Sequence, residues 1–197
     1  MQKFVKQKNR KFTTGFTLVE TLVAISIFTM SILGLMSVLA NGVSDTNYAK
    51  SKIIAGYLAE EGIEYIRNMR DTYALYDTVS AQVGWNSFNS KLTNASCNSG
   101  NGCYFNADSL GYTDPSQPQP IIDIPLVACP GGTCPNLLYN DATGKYGYTD
   151  SDSGFSRKIV IVQTSPNEVK ISSTVSWTQG SGERSVTFSE SLFNWIE

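Results

Sequence analysis

The sequence predicts an α+β fold in which one long N-terminal helix, apolar in its lower half and amphipathic in its upper half, packs on a C-terminal antiparallel β-sheet. Three observations predict it. Residues 16–40 are mostly apolar and carry one charge, Glu20. Residues 41–71 hold no proline and repeat apolar side chains at helical spacing. Residues 157–197 divide into three strand-like runs, the first continuously apolar and the next two alternating with a two-residue period, separated by turn signals.

The first stretch is the right length for a membrane. At about 1.5 Å per residue, residues 16–40 span roughly 37 Å as a helix, against a hydrocarbon core of about 30 Å. The preceding residues 1–15, a basic leader, carry Lys3, Lys6, Lys8, Arg10 and Lys11 without an acid. Such a run holds its end in the cytoplasm and sends the remainder across. Glu20 then sits near the start of the apolar stretch, where a carboxylate costs on the order of a few kcal/mol and marks a functional site by default. A cut after Gly15 supplies its partner. The new amine on Phe16 has an intrinsic pKa near 8, so it is largely cationic at neutral pH and pairs with Glu20. Two plainer readings compete. A secretory signal with Val38-Leu39-Ala40 as its cleavage site calls for an apolar region of only about 7 to 15 residues, and this one is longer and holds a charge. An uncleaved anchor explains the helix but not the residues around Gly15.

Those residues, Gly15-Phe16-Thr17-Leu18-Val19-Glu20 behind a basic leader and ahead of an apolar helix, resemble the class III signal of type IV pilins and of the pseudopilins of type II secretion. The resemblance implies that a prepilin peptidase cuts between Gly15 and Phe16 and methylates the Phe16 amine. It implies that Glu20 neutralises that amine, on its own or a neighbouring subunit, during assembly. It further implies a pilin-like head carried on the helix like a lollipop, and a place in the cytoplasmic membrane before assembly and in a cell-surface filament afterwards. The implied partners are other pilin or pseudopilin subunits, the peptidase, a membrane assembly platform and the lipid bilayer. The run from Tyr57 to Asp71, YLAEEGIEYIRNMRD, resembles the upper helix of many pilin-like proteins. Many major pilins carry a proline lower in this helix, whereas the first proline here is Pro115, so minor-pilin and pseudopilin roles stay open.

Composition narrows the alternatives. The formal charge of −2 becomes −7 once the five leader cations are removed, and no Lys/Arg cluster follows, which disfavours nucleic acid. Histidine is absent, and with it the commonest general base and metal ligand. No two carboxylates are placed for glycoside hydrolysis, so the reading is a structural subunit rather than an enzyme, with no cofactor and no catalytic residue. The alternative is a membrane-tethered extracellular binding or adhesion protein. Cys97, Cys103, Cys129 and Cys134 all fall beyond the membrane, where disulfides persist. Three connectivities exist. Local bridges, Cys97 with Cys103 and Cys129 with Cys134, are favoured because each pair brackets a Gly-rich turn. A site holding zinc on all four thiolates competes, but five residues between the first two is a poor spacing.

In the upper helix, residues 41–71, the stripe Ile54, Leu58, Tyr65 and Met69 with Tyr57 and Ile66 at its margins is expected to face the sheet, and Glu61 falls within it. Glu64 with Arg67, and Arg67 with Asp71, are expected as helix-neighbour pairs. Residues 72–156 turn to Gly, Asn, Ser, Asp, Pro and Tyr and read as a loop-rich variable region with short strands, one of them at 121–124. Asp150 and Asp152 begin a stretch that partly resembles a calcium loop and is better explained as a solvated turn. Tyr139, Tyr146 and Tyr148 fit either an exposed adhesive patch or a core edge, and Asn94-Ala95-Ser96 matches a glycosylation sequon. In 157–197, an antiparallel β meander, Ile159-Val160-Ile161-Val162 suits a central strand. Val169, Ile171, Val175 and Trp177 share one face of the next strand, and Val186, Phe188 and Leu192 share one face of the last.

Overall fold

The computed structural model describes residues 15–76, 80–98, 100–106, 125–149 and 151–195. Residues 1–14, the 121–124 stretch and Asp150 lie outside them. The chain forms two compact units, residues 1–47 and 48–197. Helix α1, Leu18–Tyr76, begins in the first and ends in the second.

In the first unit every described residue is exposed, among them Phe28, Leu33 and Leu39. Ser26, Thr29 and Ser31 turn their hydroxyls back onto the helix's own carbonyls at 2.8 to 2.9 Å. These polar side chains therefore present few free groups, as a helix in hydrocarbon requires. Gly34 and Gly42 lie within the continuous helix.

The second unit is a helix-on-sheet domain. A seven-stranded antiparallel sheet is built on β5, Ser151–Ser165. One edge of β5 pairs along its length with β6, Glu168–Gln179, which pairs with β7, Gly182–Phe193. The other edge is shared. β3, Asn136–Asn140, joins it near Phe155 and carries β4, Lys145–Gly147, while β1, Cys103–Phe105, joins at Ile159 and carries β2, Leu126–Ala128. The meander of residues 157–197 thus occupies the expected place, although β5 starts six residues earlier, at Ser151. β5 is central, yet of its run Ile159-Val160-Ile161-Val162 only Ile159 and Ile161 are buried and Val162 is exposed. The sheet is covered by helix on one face alone, so an apolar run signalled position rather than two-sided burial.

The inner face of α1 is Ala55, Leu58, Ala59, Ile63, Ile66 and Met69, all buried. Compared with the stripe expected from sequence, this face is rotated towards small residues. Tyr57 points away from the core, and Ile54 and Tyr65 are half-buried. Close approach decides the rotation: a Cβ built on Gly62 would lie 2.5 Å from Ser173 Oγ of β6, so helix and sheet meet where the helix lacks a side chain. The neighbour pairs differ as well. Arg67 pairs with Glu64 as expected but reaches across to Glu190 of β7 instead of Asp71, whose partner is Arg70. A carboxylate on the sheet fixes both ends of the contact, whereas a neighbour on the helix surface is worth only tenths of a kcal/mol.

Within residues 72–156 stands a helix the sequence reading missed, α2, Ala81–Asn94. Ser80 caps it, its Oγ accepting from Val83 N at 3.3 Å. Trp85, Phe88 and Leu92, at helical spacing, enter the core beside Ile66, Met69, Ile171 and Leu192, and Trp85 Nε1 donates to the Pro166 carbonyl at 2.8 Å. Polar composition hid this spacing. Gly84 sets how near α2 comes to the end of α1, because a Cβ there would stand 2.2 Å from the Tyr73 carbonyl oxygen. Backbone does not yield as a side chain does, so Gly84→Ala is expected to cost about 2 kcal/mol or more through overpacking, read as a lowered midpoint in urea unfolding.

The tyrosines border the core rather than forming a free patch. Tyr139 packs against Tyr146, and Tyr104 against Tyr148, with tilted rings, while Tyr146 meets Phe155 edge-on. Burial pushes the Tyr148 phenol up to about 12, opposed by the nearby Arg157 guanidinium, and its hydroxyl has no hydrogen-bond partner. An unfolded tyrosine loses its proton near 10, so the folded state holds the proton longer. Its contribution is complete below pH 10 and is lost as pH rises from 10 through 12, by about 2 kcal/mol. Tyr148→Phe is expected to flatten that fall in stability–pH curves measured by denaturant unfolding.

Candidate functional site

Two places concentrate chemistry, one at the start of α1 and one beneath its upper half. Gly15, Phe16 and Thr17 precede the helix, so the Gly15–Phe16 peptide is unwound. Thr17 then caps α1: its Oγ1 accepts from Glu20 N at 3.3 Å and its carbonyl accepts from Thr21 N at 3.2 Å. Thr17 was missed as a functional residue, although Thr-x-x-Glu is the capping-box spacing and was there to be read. Glu20 lies in the first turn, where the helix dipole favours an anion. Its side chain is exposed and has no ion-pair partner among the described residues. The arrangement is a non-helical peptide bond followed one turn later by a carboxylate that is the single charge of residues 16–40. Chemically it is a peptide bond outside the helix and, one turn on, an acid free to pair with a cation.

The second place answers the question left by Glu61. Arg157 of β5 is 1% exposed, and its Nη1 donates to Glu61 Oε2 at 2.6 Å and to the Leu58 carbonyl at 3.2 Å. The guanidinium also lies over the Phe105 ring, 4.4 Å from its centre. This buried cation joins α1, the central strand and β1 at one point. Arg157 Nε and the Ser173 hydroxyl, both buried, have no hydrogen-bond partner among the described residues.

Cysteine placement reinforces that corner. Cys97 bridges Cys103, and Cys129 bridges Cys134. All four are buried, and Cys103 pairs with Ala128, the residue before Cys129, across β1 and β2, so the two bridges lie near each other at that end of the sheet. Each closes a loop of six or five residues and contributes about 2 kcal/mol by restricting the unfolded chain. Among the described residues no group of three metal-ligating side chains exists. Asp152 is occupied otherwise: it accepts from Gly154 N at 2.8 Å and Asn136 Nδ2 at 3.0 Å, which hold its carboxyl below the usual range. That stretch opens β5 beside a register shift instead of forming a turn. Asn94 of the sequon is exposed at the end of α2.

The family model for the prokaryotic N-terminal methylation motif matches residues 10–36, the segment containing Gly15, Phe16, Thr17 and Glu20. No curated protein and no solved structure matches the chain. Among the described residues one helix, α1, is long and apolar enough to cross a membrane.

Proposed function

We propose, from the type IV pilin and pseudopilin signature at residues 10–36, that this precursor becomes a minor or pilin-like structural subunit of a type IV pilus or related pseudopilus. The methylation motif marks a substrate of prepilin peptidase and a partner of other pilin subunits. In the finer reading, the precursor lies in the cytoplasmic membrane with residues 1–15 inside and the sheet domain outside. The peptidase cuts after Gly15 and methylates the Phe16 amine. Cleavage removes the five cations that fix the N-terminus on the cytoplasmic side, and it leaves one amine near one carboxylate, Glu20. The apolar helix then moves from lipid into a bundle of equivalent helices on an assembly platform. Both environments are apolar, so the transfer involves little hydrophobic loss, and pairing of the amine with Glu20 supplies selectivity.

The observation that carries this reading is the exposed apolar run of α1 whose sole charge stands one turn after an unwound glycine–phenylalanine bond. Co-expression with a prepilin peptidase tests it. The chain is expected to shorten only when the peptidase is active, and a bulky replacement, Gly15→Val, is expected to block shortening, with Gly15→Ala cut at an intermediate rate. Retention of residues 1–15 with an active peptidase would leave a permanent tether.

A further inference from the structure

The longest free edge of the sheet among the described residues is β7, a twelve-residue strand paired with β6 from Gly182 to Phe193 in unbroken register and with nothing described on its other side. It contains no proline to blunt the edge. The two-residue connection at Gly180 and Ser181 closes on the pair Gln179 and Gly182, which makes that pair a hydrogen-bonded one. Alternation then points the backbone groups of Ser185, Thr187 and Ser189 outwards. The side chains agree. Ser172 with Ser189 and Thr174 with Thr187 touch hydroxyl to hydroxyl at 2.9 Å, as expected of the closer, non-hydrogen-bonded pairs.

Charge and shape along this edge are self-complementary. An antiparallel copy of β7 centred on Thr187 sets Thr187 against itself, Ser185 against Ser189, Val186 against Phe188 and Arg184 against Glu190, with the helix-side residues of both copies on one face. Phe188 is 43% exposed although it lies on the helix side of the sheet, so it has apolar surface to cover. Arg184 is exposed and has no partner among the described residues. Arg67 is shared between Glu64 and Glu190, which leaves one carboxylate charge of that cluster uncompensated. A register centred on Phe188 would instead place Glu190 against Val186 and lose both matches.

We propose that the β7 edge is a docking surface for a second copy of this chain, joined by antiparallel strand addition about Thr187. The twofold axis of such a pair stands normal to the sheet and reverses the direction of the upper part of α1 between the copies. This contact lies wholly within the second unit, residues 48–197. It is independent of cleavage after Gly15 and survives if that reading fails.

Cysteine pairing in the full-length chain in detergent micelles tests the proposal, since the four native cysteines are all in disulfides. Oxidised Thr187→Cys is expected to give a covalent dimer. Ser185→Cys alone is expected to stay monomeric, yet to cross-link when mixed with Ser189→Cys. Thr187→Pro removes an outward N–H without touching the β6 ladder, so it is expected to keep the native circular dichroism while the mass of the unlinked protein halves in light scattering. Arg184→Glu is expected to weaken the dimer at least tenfold, and high salt to weaken the wild type. A folded wild type that stays monomeric at high concentration, or Ser185→Cys cross-linking as readily as Thr187→Cys, overturns the proposal. So does a dimer indifferent to Thr187→Pro, which would point to the apolar part of α1 instead.

Discussion

Glu20→Ala is expected to leave the chain in the membrane and, on the proposed function, to remove it from filaments. The apolar stretch of α1 keeps its length and gains hydropathy, so insertion is undisturbed. Assembly is another matter. A cleaved subunit entering a helical bundle carries a cationic Phe16 amine into an apolar setting, and an unpaired charge there costs several kcal/mol. Without Glu20 no side chain in residues 16–40 neutralises it. Even about 2 kcal/mol of lost pairing is a factor of roughly thirty in partition. The ratio of variant to wild-type subunit in sheared filaments, divided by the same ratio in membranes, is expected to fall at least tenfold. Glu20→Gln, which keeps the shape and loses the charge, is expected to behave like Glu20→Ala; Glu20→Asp is expected to recover part of the function. Equal incorporation of all four chains would assign Glu20 to capping α1, where Thr17 already serves.

Glu61→Ala destabilises the sheet domain more than Arg157→Met does, though both break the same ion pair. Removing the carboxylate strands a guanidinium that is almost wholly buried and already has one unpaired nitrogen. Removing the guanidinium leaves Glu61, whose side chain is 36% exposed and can turn to water, while methionine fills the space over Phe105 with apolar atoms. Buried pairs behave in this asymmetric way: losing one partner costs more than replacing the buried charge with a packed apolar group. Glu61→Ala is expected to cost about 2 to 3 kcal/mol, discounted for the water that reaches its side. For a domain of this size that lowers the melting temperature by roughly 5 to 10 °C, read by circular dichroism, with less than half that drop for Arg157→Met. Equal drops would mean that packing over Phe105, and not the charge pair, holds α1 to the sheet.

What the sequence made legible follows from how each signal is written in it. The apolar run of 16–40, the GFTLVE border and the alternation of Val169, Ile171, Val175 and Trp177 are local patterns, and each survived in the structure as helix, unwound border or inner sheet face. Helix α2 was hidden because three apolar residues, Trp85, Phe88 and Leu92, carry its inner face in a polar background of Asn, Ser and Gln. Glu61 was visible as an anomaly on an apolar stripe, but its partner lies 96 residues away on the opposite layer, a distance no local pattern spans. The same is true of Arg67, for which Asp71 was the neighbour in sequence and Glu190 the neighbour in space. The rotation of the α1 inner face towards Ala55, Ala59 and Gly62 has a related cause. Helical spacing weights large side chains, whereas close approach to β6 is set by small ones.

The account rests on a proteolytic event that converts a basic, membrane-oriented N-terminus into a single amine opposite a single acid. Intact-mass measurement on protein recovered from its native cell addresses this directly. The expected species lacks residues 1–15, begins at Phe16, carries one added methyl group and retains both disulfides. A chain that begins at Met1, or one that begins near Asn41 after loss of the whole apolar stretch, would contradict it.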